Sequence, residues 1–374
     1  MTHLTVNGSV TIERTVYWSK ATGSVRPSDR FLGIEQYSIS PGVREMCSLE
    51  SLDSSFAGVA RSLKRAAQLT LSEDRTRRIV EAEGKRVIRA QRSDAIPVSF
   101  TVADCSDGVL VTGTDGVFVP VVPETQKSKR RATEAKNRKA LGRRSTRRRG
   151  RPRKGADGEY KEAKVLTFYN QDKSRTHVSA TLGDCRKLGK MMRREGRKLR
   201  LGEAKFSYSV ADGAKWIDRQ YQLNLPMLGA NVLDWYHFKE HVVEASHAVY
   251  GESTLKAKHW QAKMLEAAWE QGSLVMLHRL APYVRRHTDE RREALESLRG
   301  YVEARTSKTD YPHFREQGYD CGSGPTESQC GTLTRRVKGA GMRWDADNVE
   351  SMMVLAALDH SQQWNAYWKL QRTA

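Results

Sequence analysis

The chain of 374 residues has no long apolar run: the longest stretch, 352–358, is seven residues, far short of the ~18 or more that a membrane span needs. The start, 1–14, is polar and contains no signal-peptide core. A soluble, non-secreted, cytoplasmic protein is therefore expected, with no membrane partner. Cysteine is scarce too. Cys47, Cys105, Cys185, Cys321 and Cys330 form an odd, scattered set without a C-x-x-C pair, which excludes a readable disulfide framework or cysteine zinc site and fits a reducing compartment. Acid is the third shortage. Against 64 Lys and Arg stand 44 Asp and Glu, leaving a net charge of +20 and a pI near 9.8. That balance excludes an acidic solubilising protein and points to a polyanion, nucleic acid first. Aromatics are only 8% of the chain, but with 38% hydrophobic residues in all there is enough apolar matter for a packed interior, so wholesale disorder is excluded. The length allows two or three domains.

The first hundred residues divide at Pro41. Before it, strand-like alternation over 4–10 and 12–18 predicts a small β-hairpin region, 1–42. After it, 43–100 carries helical spacing: Phe56, Val59, Ala60 and Leu63, then Thr70 with Glu73 as a capping-box signature ahead of Ile79, Ala82, Val87 and Ile88. Two helices joined near Leu69 are expected. Arg77 and Arg78 lie on their basic face, which reads either as a helix-turn-helix contact with DNA or as an ordinary solvated surface.

β-branched runs at 109–112 and 117–122 bracket Gly113-Thr114-Asp115-Gly116 and read as strand, acidic tip, strand. Residues 127–154 then hold fifteen basic side chains and one acid, Glu134, most of the net charge of the protein. Such density repels itself and buries nothing, so a basic flexible insertion, 127–158, is expected that orders on a phosphate backbone. Within it Arg149-Gly150-Arg151-Pro152-Arg153-Lys154 resembles the core of an AT-hook, which leaves two readings open: minor-groove insertion or sequence-independent backbone contact. Further strands are expected at 164–169, 206–211 and 231–233, and a helix over 183–198 with Leu188, Met191 and Met192 in the core. From 238 to about 305 the periodicity is helical throughout, Trp260 and Trp269 reading as core or as base-stacking platforms. Gly324-Pro325 then opens a new helix with Glu327 in its first turn, and two last helices begin near Asp347 and Ser361.

Three acids sit where elements begin or end beside glycine: Asp115, Asp212 and Glu327. Each alone has a structural explanation, since Asp-Gly is a common turn pair and Gly324 with Glu327 can cap a helix. Jointly, two strand-end aspartates and a helix-start glutamate in a basic protein give the layout of ribonuclease-H-like nucleotidyl transferases. Two hard cations need several converging carboxylate oxygens to clamp the attacking and leaving oxygens of a phosphodiester. The long separations mean that only the fold can assemble such a site.

Four runs carry a more specific likeness: Asp212-Gly213-Ala214-Lys215-Trp216-Ile217, Leu233-Asp234-Trp235-Tyr236-His237, Gly322-Ser323-Gly324-Pro325-Thr326-Glu327-Ser328 and Lys338-Gly339-Ala340-Gly341-Met342-Arg343-Trp344. Together they resemble the bacterial insertion-sequence DDE transposases of the ISKra-four group. The resemblance implies an α/β fold with a ribonuclease-H-like mixed sheet flanked by helices, its first part at 101–237, an all-helical insertion at 238–316 and its last part at 317–374. It implies a metal-binding triad of Asp115, Asp212 and Glu327, and a D-x-x-H signature in Asp234 and His237. Two Mg²⁺ ions, with Mn²⁺ as a substitute, are the implied cofactors. Arg335, Arg336, Lys338 and Arg343 follow Glu327 on its helix and loop and read either as contacts to DNA phosphates or as a solvated face. Ser19 and Thr22 stand where the family carries paired cysteines, so no zinc module is expected. The implied activity is strand cleavage and strand transfer at terminal inverted repeats, on double-stranded DNA, by a homo-oligomer associated with the bacterial nucleoid. The alternatives are a non-catalytic DNA-binding derivative and a related metal-dependent nuclease.

Overall fold

A computed structural model of the chain describes residues 2–21, 23–31, 38–142 and 158–373. Two small antiparallel hairpins lead: β1 (Thr2–Thr5) with β2 (Gly8–Thr11), and β3 (Tyr17–Ser19) with β4 (Gly23–Val25). The short helix α1 (Pro27–Phe31) follows. The helical module has three helices, α2 (Pro41–Glu50), α3 (Phe56–Ala66) and α4 (Glu73–Arg92), one more than the spacing predicts. Pro41 at the first position and the Ser40 cap start the extra helix. The expected Thr70–Glu73 capping box does not form. Ser72 caps α4 instead, accepting the Arg75 amide at 3.2 Å, because its hydroxyl stands three residues before that amide.

The central elements are β5 (Val109–Pro120), α5 (Glu124–Ala140), β6 (Tyr160–Tyr169), β7 (Thr176–Thr181), α6 (Cys185–Lys198), β8 (Phe206–Ala211), α7 (Lys215–Asn224) and β9 (Ala230–Leu233). The five strands form one sheet in the order β7-β6-β5-β8-β9, with β6 antiparallel to both neighbours and β5, β8 and β9 mutually parallel. This mixed sheet flanked by helices is consistent with the expected ribonuclease-H-like architecture. Strand β7 is the one strand of this sheet that the sequence reading omits.

Two expectations are corrected here. The strand-tip-strand unit at 109–122 is one continuous strand, paired with β6 from Val111 to Pro120. Asp115 therefore projects from mid-strand. Its flanking glycines serve close approach rather than a turn, Gly113 against Thr326 and Gly116 against Glu162. The first part of the supposed flexible insertion is the helix α5. Lysine, arginine, alanine and glutamate are good helix formers, and Glu124 pairs with Lys127 one turn on at 3.1 Å. Residues 143–157, the rest of that insertion, lie outside the described residues.

The helical segment that follows β9 consists of α8 (Trp235–Tyr250), α9 (Leu255–Glu266), α10 (Ser273–Arg286), α11 (Asp289–Glu303) and α12 (Tyr311–Glu316). The chain ends with α13 (Gly324–Arg335), α14 (Ala346–His360) and α15 (Trp364–Thr373), the last beginning three residues beyond the expected Ser361. No helix among the described residues is long and apolar enough to cross a membrane.

One face of the sheet shares a continuous apolar cluster with the amino-terminal helices and with α13, α14 and α15, joining Val119, Val165 and Val178 to Val59, Val80, Met353 and Tyr367. The crossing of α4 and α14 is very close. A Cβ on Gly84 would stand 2.4 Å from the Ser351 carbonyl oxygen. Gly84→Ala is therefore expected to destabilise the fold by about 2–3 kcal/mol, the cost of overpacking against backbone, outweighing the ~1 kcal/mol that the swap gains in an open helix. A urea midpoint that does not fall would contradict this crossing.

A candidate metal centre at the sheet end

Four separate elements deliver acids to one region. Asp115 comes from the middle of β5, Asp212 follows β8 directly, Asp234 follows β9 and caps α8, and Glu327 lies in the first turn of α13. Parallel β8 and β9 end side by side, with Ala211 opposite Leu233, which brings Asp212 and Asp234 together at the carboxyl end of the strands. Open α/β sheets place their ligands at such ends.

Asp234 is completely buried and heavily bonded. One carboxylate oxygen accepts the Ser323 amide at 2.6 Å. The other accepts the His237 amide at 2.9 Å and the His237 ring Nδ1 at 2.8 Å. Burial works against its charge, but these bonds and the neighbouring imidazole hold its pKa below the usual carboxylate range. The same bond raises His237 to about 9, with burial opposing and the charges of Asp234, Asp212 and Glu240 assisting. Asp234 and His237 thus form an ion pair at neutral pH, with His237 in the first turn of α8 rather than at a strand end. Ser323 continues the network, its hydroxyl donating to Glu327 Oε1 at 2.5 Å. Asp234, His237 and Glu327 offer three ligand atoms all within 4.8 Å of one another.

Asp115 and Asp212 stand beside this group but not within it. Burial pushes the Asp115 pKa up, the Gly116 amide and the Cys330 thiol lower it by hydrogen bonding, and the negative charge of Asp212 raises it further. Cys330, one turn after Glu327 on α13, donates to Asp115 Oδ2 at 3.4 Å and so couples β5 to the glutamate's helix. Asp212 Oδ1 accepts the Ala214 amide at 2.8 Å across a turn in which Gly213 has φ +77°, a conformation that favours glycine. Five carboxylate and imidazole groups thus share one neighbourhood. Oxygen donors dominate, as Mg²⁺ requires. Asp234 carries three hydrogen bonds, Asp115 accepts one on each carboxylate oxygen, from Gly116 and Cys330, and Glu327 accepts from Ser323.

The sequence reading passed over Ser323, Cys330 and Arg305. Ser323 stands four residues before Glu327 and Cys330 three after it, a helical spacing that could have placed both on the glutamate's face. Arg305 gives no local signal. It follows the last long helix of the insertion, donates to the Gly213 carbonyl at 3.0 Å, and lies 4.1 Å over the Tyr301 ring. The helical insertion thereby braces the turn that carries Asp212. Arg305→Met, which keeps the stem and removes the donors, is expected to weaken any Mg²⁺ or Mn²⁺ binding at these acids by about 10–100-fold, as loss of a ligand-orienting partner does. A calorimetric Mn²⁺ titration checks this, with a raised metal midpoint as the signature of mispositioning.

The basic candidates are dispersed. Arg77 pairs with Asp74 and Glu81, and Arg78 with Asp74, all on α4. Arg335 is exposed, 3.7 Å from Asp53. Arg336 is turned inward, donating to the Ser54 carbonyl at 2.8 Å and stacking on Phe56 and Trp344 at 5.2 and 5.0 Å. Its charge locks the end of α13 to the amino-terminal helices and is poorly placed to meet a phosphate. Lys338 and Arg343 are exposed. Arg149, Arg151, Arg153 and Lys154 lie outside the described residues. Trp260 is buried in the insertion, and Trp269 packs on Trp235 at 4.6 Å, so both are packing residues.

No protein-family profile matches the chain, and no curated protein matches it. Among solved structures the chain is similar to the Drosophila P element transposase in its strand transfer complex, at 10% identity and a TM-score of 0.38, over 89% of this chain and 94% of that one. At so low a score the likeness carries no weight, and the site rests on its own geometry.

Proposed function

We propose that this chain is a metal-dependent DNA transposase of the insertion-sequence DDE class, with Asp115, Asp212 and Glu327 as its metal-binding acids. The observation that carries the reading is the convergence of these acids, with the Asp234–His237 pair, from four elements far apart in sequence. Asp115, Asp212 and Glu327 would hold two Mg²⁺ ions, which when bound supply Lewis-acid activation of water and of a DNA 3′-hydroxyl. His237, cationic at neutral pH and 39% exposed, faces the same region and offsets phosphate charge there. Asp234 keeps that imidazole protonated and oriented. The net charge of +20 suits a double-stranded DNA partner, and joining two element ends calls for an oligomer on DNA.

The test is metal removal. With end DNA of the parent element, chelation by EDTA is expected to abolish strand cleavage and leave binding intact, and Mg²⁺ or Mn²⁺ to restore cleavage. Binding without cleavage under any divalent ion would reduce the protein to a DNA-binding module. Cleavage without joining of pre-cut ends would make it a nuclease.

A further inference from the structure

Beyond its last rung with β8, Gly113 opposite Val210, β5 runs on with no strand paired on that edge among the described residues until Val121 meets Trp344. The loop after α13 returns alongside it, anchored by the Val122 amide on the Trp344 carbonyl at 2.8 Å. Between strand and loop lies a cleft of about 480 Å³, within the range of about 300–1,000 Å³ typical of small-ligand sites. Phe118 and Pro120 alternate on one face of β5, and Tyr160, opposite Pro120 on β6, shares that face.

Phe118 is 60% exposed and Tyr160 62%. Two large aromatic rings left in solvent on one face are a surface without an internal partner. The other wall is cationic, with Lys338 and Arg343 both exposed. Two acids stand beside them: Glu159, 3.1 Å from Arg343, and Glu162, opposite Phe118 on β6 and paired with Lys164 at 2.6 Å. The helix α5 starts four residues beyond Pro120, and Lys127 in its first turn bonds Asp345 at 3.2 Å, tying it to the same loop. It has no buried residue, and seven basic side chains outweigh two acids along it. The cleft therefore opens beside a strongly positive arm. Phe118 lies three residues along β5 from Asp115, so the unbroken alternation of the strand puts the two side chains on opposite faces.

We propose that this cleft binds an unpaired nucleotide of a DNA strand, its base stacked on Phe118 and Tyr160 and its phosphate held by Lys338 and Arg343. Aromatic platforms beside a cationic groove are how proteins hold single strands without reading sequence. The proposal rests on the DNA-processing reading above and adds a strand-holding subsite further along β5, on the face opposite Asp115.

The full chain is titrated with an oligothymidylate longer than one site of about 4–16 nucleotides, carrying one 2-aminopurine, and in parallel with a blunt duplex. Phe118→Ala with Tyr160→Ala is expected to weaken single-strand binding by about 5- to 150-fold per stacked base lost and to abolish aminopurine quenching. Duplex affinity should stay unchanged, and Phe118→Trp should retain the quenching. Unchanged single-strand affinity, or an equal loss on the duplex, would overturn the proposal. A wild-type chain that quenches aminopurine yet cuts no DNA would remove the catalytic reading and leave the cleft. One that cuts DNA while quenching ignores both substitutions would do the reverse.

Discussion

Asp212→Asn is expected to bind DNA as the wild type does and to cleave it about 1,000-fold more slowly, a loss of about 4 kcal/mol of transition-state stabilisation. Asparagine suits the test because it preserves the local structure. Its side-chain oxygen can still accept the Ala214 amide that Asp212 Oδ1 holds at 2.8 Å, so the turn through Gly213 survives. What is lost is the charge. Asp212 raises the pKa of Asp115 and of His237, so it already acts on both neighbours across the site. A cation bound there would be worth several kcal/mol of charge stabilisation in the transition state, and removing one of three anionic ligands forfeits much of it. On the proposed reading DNA affinity rests on basic surface remote from the acids, so binding should hold. The measurement is single-turnover cleavage at saturating Mg²⁺ beside a binding isotherm at fixed salt. Cleavage within a few-fold of wild type would exclude Asp212 from the chemistry.

Much of the scaffold around this residue was legible from pattern alone. The alternation at 206–211 matches β8 to the residue, and Leu188, Met191 and Met192 are buried as their helical spacing requires. The misreadings share a cause: local signals stood in for tertiary contacts. Asp115-Gly116 reads as a turn because glycine beside aspartate usually bends the chain, whereas here Gly116 gives room to the Glu162 side chain. β7 has turn residues on both sides, Asn170, Asp172 and Ser174 before it and Gly183-Asp184 after it, but its short run Thr176–Thr181 mixes polar and small residues, and its ladder with β6 defines it. α5 buries nothing, so no hydrophobic period could announce it, and only propensity and i,i+3 pairing form it. For the site, residue types marked the acids, but the Ser323 amide's bond to Asp234 and Arg305's reach to Gly213 depend on neighbours distant in sequence. No pattern in a single chain encodes those.

The second large effect concerns a residue with no chemistry of its own. Gly113 lies in β5 between the Thr167 and Val210 rungs, and the first turn of α13 comes down on it. Thr326 is buried, its hydroxyl 2.7 Å from that of Thr167, and Thr167 in turn donates to the Gly113 carbonyl at 3.2 Å. A Cβ on Gly113 would stand 1.8 Å from Thr326 Oγ1 and 3.0 Å from Thr326 Cβ, so the helix must lift. Glu327 is the next residue, and it would be carried away from His237 and Asp234 with the helix. Misplacement by about 1 Å can cost about 100-fold in rate. Gly113→Ala is therefore expected to reduce cleavage by about that factor and to destabilise the fold by about 2–3 kcal/mol through overpacking. Gly331→Ala on the same helix is the control, since nothing lies within 4 Å of a Cβ there, and it should be neutral or gain up to ~1 kcal/mol. Pairing Gly113→Ala with Thr326→Ala removes the 1.8 Å clash and leaves the 2.9 Å approach to Thr167 Oγ1 and the 3.0 Å contact with the Cβ at 326, so the urea midpoint should recover in part. Glu327 then regains its seat, and cleavage should rise with it. An active, undestabilised Gly113→Ala protein would mean that α13 does not rest on β5 as described, and that Glu327 owes its place to something else.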